Sequence, residues 1–61
     1  MNDTEKQGMR EMALGMLTHI QTIDDKEVAH IQADAVLMSL LTALGFSDVV
    51  REYEKVEKWY A

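Results

Sequence analysis

Residues 24–46, "DDKEVAHIQADAVLMSLLTALGF", decide how this chain folds. Val28, Ile31, Ala35 and Met38 form one apolar stripe at helical spacing. Ala29, Ala33, Leu37, Leu40 and Leu44 form a second. From Ala35 onward the helix is apolar nearly all round, and a helix of that kind is covered on several sides. One or two neighbours drawn from 61 residues cannot supply that cover, so identical copies are expected to complete it. The boundaries are equally readable. Asp24 stands as N-cap with Glu27 three residues on as its capping-box partner, and Ile23 with Val28 as a hydrophobic staple. Gly45 supplies the left-handed residue that ends the helix. The spacing therefore predicts a helix over 25–44.

Toward the N-terminus, Met9, Met12, Ala13, Met16, Leu17, Ile20 and Ile23 recur every three or four residues. They predict a helix over 5–22, with Asn2, Asp3 and Thr4 as candidate caps and residues 1–4 frayed. Gly8 and Gly15 lie a heptad apart along one edge of this stripe. Each costs up to about 1 kcal/mol against alanine, which points to close helix approach or to looseness. Toward the C-terminus, Ser47 is the expected cap of a third helix over 47–59, with Asp48 against its positive end. Phe46, Val49, Tyr53, Val56 and Tyr60 share one stripe of it. The expectation is an all-α fold in one domain, residues 1–61. Two long antiparallel helices and a shorter C-terminal one assemble as a homo-oligomeric helical bundle.

Composition narrows the function. There is no cysteine, so neither disulfides nor thiolate zinc stabilise the chain, which leaves association as the usual remedy for so small a core. A net charge of −5 excludes general nucleic-acid binding through phosphate neutralisation and disfavours anionic membrane surfaces. The longest apolar run falls well short of the roughly 20 residues that span a bilayer. The opening "MNDTEKQG" lacks a leader pattern, so a complete small reading frame and a cytoplasmic location are expected. No cofactor is implied.

Two constellations carry chemistry. Glu27, His30 and Asp34 follow the spacing i, i+3, i+7 on one helical face, and Glu-x-x-His is a half-site of carboxylate di-metal bundles. They are the candidate metal ligands, with Glu11 as a helper. A metal-dependent hydrolase would use them to activate water and accept its proton. The plainer alternative makes Glu27 a capping residue and His30 with Asp34 an i,i+4 pair. At the C-terminus, Arg51, Lys55 and Lys58 line one face of the third helix with Trp59 at its border. Cations that meet phosphate oxygens beside a ring that stacks on a base would grip a nucleotide-like ligand. The plainer alternative is a solvated face of Glu–Lys pairs with Trp59 and Tyr60 as buried anchors. His19 has no role beyond the helix edge.

The elements "HIQAD" (30–34), Leu44–Gly45 and the terminal Lys58-Trp59-Tyr60-Ala61 make residues 24–61 resemble small helical proteins encoded by bacteriophages and prophages. That resemblance implies life in a bacterial host cytoplasm and action by binding, either sequestering a nucleotide-like signal or blocking a host defence protein. Acidic residues on adjacent helices are also similar to those of all-helical MazG-type nucleoside triphosphate pyrophosphohydrolases. The paired Glu-x-x-Glu and Glu-x-x-Asp motifs of that family are absent. The expected function is therefore a non-catalytic, homo-oligomeric binder of a nucleotide-like small molecule or a bacterial protein. A metal-dependent nucleotide pyrophosphohydrolase and a purely structural assembly protein stand as alternatives.

Overall fold

A computed structural model describes residues 2–57 and contains three α-helices: α1 (Asp3–Ile20), α2 (Lys26–Ala43) and α3 (Ser47–Glu54). No strand occurs among the described residues. Local chemistry accounts for each boundary, and several differ from the positions the sequence suggests.

Helix α1 starts at Asp3 because Asn2 is its cap: the Asn2 side chain accepts the Glu5 amide at 2.8 Å. The expected fraying of residues 1–4 thus gives way to an ordered cap from Asn2 onward. At its other end α1 stops at Ile20, two residues short of expectation. The amides of Thr22 and Ile23 bond to the carbonyls of His19 and Ile20, three residues back, which tightens the last turn into a connection.

Helix α2 is capped by Asp25, not Asp24. The Asp25 carboxylate accepts the amides of both Glu27 and Val28, at 3.0 and 3.2 Å. Shifting the cap by one residue moves the third helical position from Glu27 to Val28, so the capping box does not form. The staple fails for the same reason: Ile23 packs against the core while Val28 stays exposed. The far end of α2 follows expectation. Gly45 has φ +93°, its amide bonds to the Thr42 carbonyl and the Phe46 amide to that of Leu41, the paired bonds of a Schellman motif.

Helix α3 begins without a side-chain cap. Phe46 occupies the cap position, Ser47 is already helical, and Asp48 accepts the Val49 amide instead. The helix ends at Glu54 and not at residue 59. Lys58, Trp59, Tyr60 and Ala61 lie outside the described residues.

Helix α2 is the centre of the layer. It packs against α1 on one flank and α3 on the other, and α1 does not touch α3. Met9 of α1 lies near Ala43 and Leu17 near Ala29, so α1 and α2 are antiparallel. Tyr53 of α3 lies near Asp34 and Leu37, so α3 reverses again. The result is a single sheet of helices whose Cα atoms span 38 × 27 × 7 Å. Its radius of gyration of 12.8 Å exceeds the roughly 10.5 Å of a compact chain of this length.

A layer one helix thick has a seam but hardly an interior. Ala13, Ile20 and Val36 are buried at the α1–α2 seam, with Leu17, Ile23, Ala29, Ala33 and Leu40 partly buried around them. The only buried apolar residue on α3 is Val50. Two expectations are corrected here. Met12 and Met16, assigned to the inner stripe of α1, remain exposed, and Val36, which belongs to neither expected stripe of α2, is the α2 residue buried at the seam with α1. The Phe46–Val49–Tyr53–Val56 stripe of α3 is exposed in the single chain and not core.

Candidate functional sites at the seam and on the two faces

Asp34 is the one buried charged side chain among the described residues, at 8 % exposure. It points from α2 toward α3, and two groups meet its carboxylate. His30, one turn earlier, places Nε2 3.8 Å from Oδ1. Tyr53 reaches across from α3 and donates its phenolic hydrogen to the carboxylate. Its pKa is raised above the ordinary 10.0, first by partial burial, then by this hydrogen bond and the negative charge of Asp34. A buried carboxylate requires partners of this kind. The arrangement pins α3 to the middle of α2.

The sequence places His30 and Asp34 together correctly, as an i,i+4 pair. Glu27 does not join them: it is exposed in the first turn of α2, where its amide is held by Asp25. Among the described residues no three His, Cys, Asp or Glu side chains gather into a group able to hold a metal ion. Glu11, proposed as a helper, hydrogen bonds instead to Gln7 on its own helix. Sequence reasoning missed Tyr53 as a polar partner, because it fits the apolar stripe of α3 and nothing in the spacing pairs residue 53 with residue 34.

The C-terminal cations divide in two. Arg51 and Lys55 are one turn apart on α3, on the side away from Val49, Tyr53 and Val56. Lys55 pairs with Glu52, Nζ to Oε1, at 3.0 Å, and both side chains are largely exposed. Such a pair contributes little to stability. Lys58 and Trp59, the remaining half of the proposed ligand grip, lie outside the described residues.

The largest unexplained feature is apolar. The two depressions between α2 and α3 share both Met38 and Val50 but have different walls on either side of them. One side is walled by Leu37, Leu41 and Tyr53, the other by Ala35, Ser39, Thr42 and Glu54. The first side continues into the exposed Phe46, Val49 and Val56 on the same stripe of α3. The second continues across α2 to Met9, Met12 and Met16 of α1. Ten large apolar residues among those described keep between 39 and 66 % of their surface, and no large side chain is fully enclosed. Folded single chains seldom leave so much apolar surface uncovered without a use for it.

No helix of the described residues is long and apolar enough to cross a membrane. No family model matches the chain, and no curated protein or solved structure matches it significantly.

Proposed function

We propose that this protein works by binding, as a homo-oligomeric helical module whose apolar faces close on its own copies and on a protein partner. One observation carries this reading: a layer one helix thick leaves Leu37, Phe46, Val49, Tyr53 and Val56 exposed together on a single face. Aromatic and aliphatic side chains grouped around one buried, partnered carboxylate, here Asp34, are suited to the centre of a protein interface. The phage and prophage resemblance makes a bacterial host protein, met in the host cytoplasm, the natural partner class. Native mass spectrometry of freshly purified protein tests the reading. A multiple of the chain mass supports it, and a lone chain at working concentrations argues against it.

A second reading keeps the nucleotide-like ligand. Arg51 and Lys55 share one side of α3, and the exposed Lys55–Glu52 pair is weak enough for a phosphate to displace. Calorimetric titration with cyclic and linear nucleotides separates the two. Heat that disappears in Arg51→Ala or Trp59→Ala without loss of assembly supports the ligand. Absence of heat with every nucleotide removes it.

A further inference from the structure

Resting on the oligomeric reading above, we infer that a second copy of this chain seats on the methionine face of α1, antiparallel to it, with a two-fold axis near Met12. The need for a partner of this size is visible in the surface area. The chain exposes 4892 Å², whereas a folded chain of 7.0 kDa exposes about 4,000 Å². The surplus matches the roughly 800 Å² that each partner contributes to a standard interface.

Charge and shape select the face. The depressions beside Met9, Met12, Met16 and Gly15 contain no Asp, Glu, Lys or Arg among their lining residues. The opposite side of the same seam carries Asp24 and Lys26. Along the flank of α1 that borders these depressions run Gly8, Met12, Gly15 and His19, spaced four, three and four, which is the repeat of a helix-pairing seam. Among the described residues Met12 is the most exposed large apolar one, at 66 %, and it stands midway between the two glycines. Each glycine weakens α1, yet a Cβ on either would meet nothing within 4 Å in the single chain. Intrachain packing therefore gives no reason for them.

A second α1 gives one. An interface with a two-fold axis must be self-complementary, the same patch serving as projection and as recess. With helices antiparallel about Met12, the two Met12 side chains meet at the axis, Gly8 and Gly15 of each helix face Met16 and Met9 of the other, and the glycines let the backbones approach. At the ends, Glu5 in the first turn of one α1 lies alongside His19 in the last turn of the other, twice over, a carboxylate acceptor beside an imidazole N–H donor.

Cysteine substitution tests the geometry without background, because the chain has no cysteine. Met12→Cys is expected to form a disulfide-linked dimer under mild oxidation. Leu14→Cys, about 200° around α1, is expected to stay unlinked. Gly15→Leu gives a sign test. It raises the helix propensity of α1 and has open space in the single chain. On a free face it leaves assembly unchanged and raises the melting temperature. On the proposed seat it weakens dimerisation by on the order of thirtyfold while circular dichroism stays helical. A native dimer that persists in Gly15→Leu, or links as readily through Leu14→Cys as through Met12→Cys, overturns the seat but leaves the oligomeric reading intact. A native protein that is a single chain at every concentration overturns both.

Discussion

Asp34 gathers more of the fold's specificity than any other residue, since its buried carboxylate is shared by His30 on its own helix and Tyr53 on the next. Asp34→Ala removes the acceptor of the Tyr53 hydroxyl and is expected to cost about 1–2 kcal/mol, read from urea unfolding. The same contact sets an alkaline dependence. Tyr53 has a folded-state pKa above the 10.0 of the unfolded chain, so above pH 10 the folded form holds a proton that the unfolded form releases. The stability this contributes is complete below pH 10 and is lost as pH rises through the folded value. Urea midpoints measured at increasing alkaline pH should fall more steeply in the native protein than in Tyr53→Phe. Parallel slopes would dissociate Tyr53 from Asp34. His30–Asp34 was legible as an i,i+4 spacing. Tyr53 was not, because its partner lies across a hairpin and an aromatic in an apolar stripe gives no sign that its hydroxyl is in use.

At the level of elements, the caps separate what local sequence determines from what it leaves open. Adjacent aspartates at 24 and 25 offer two starts for α2, one residue apart. The pattern that favours Asp24 rests on Glu27 and Val28, whereas Asp25 satisfies two amides at once. Asp25→Ala should therefore cost about 1 kcal/mol and Asp24→Ala close to nothing, measured by thermal or urea melts. Equal losses would return the cap to Asp24. The glycine that ends α2 was fully legible, since only one residue type sits comfortably at φ +93°. Gly45→Ala meets no steric obstruction, so its expected cost of about 1 kcal/mol is that of the backbone conformation alone. Helix α3 was the least legible element. Its predicted extension to residue 59 followed an apolar stripe, and in the described structure helix gives way after Glu54, where Val49, Tyr53 and Val56 of that stripe keep much of their surface exposed. Helix formation in short segments depends on packing more than on propensity.

On the scale of the whole molecule, three helices and their order were legible from periodicity, whereas the uncovered apolar surface expected on α2 from Ala35 onward lies mainly on α1 and the α3 stripe, with Leu37 the one large apolar residue of that stretch left exposed. The arrangement in one layer was not legible, because stripe positions tell which residues seek cover but not which neighbour provides it. Val36 and Leu37 illustrate this: both are apolar, adjacent, and on the same helix, yet only Val36 reaches the seam with α1. A layer with two open faces has a thermodynamic signature. If a second copy completes the core, folding is linked to association, and the melting temperature rises with protein concentration. Met12→Glu places a carboxylate on each side of the proposed two-fold axis and should abolish that dependence, as followed by circular dichroism across a dilution series. A concentration dependence that survives Met12→Glu would move the contact to the face of Leu37 and Val49.

Sedimentation equilibrium over a wide range of dilution tests the central claim most directly, that one chain's layer is finished by another. The expected result is a species of twice the 7.0 kDa chain mass, falling toward the single mass only as helicity is lost. A fully helical 7.0 kDa species at every concentration would contradict it.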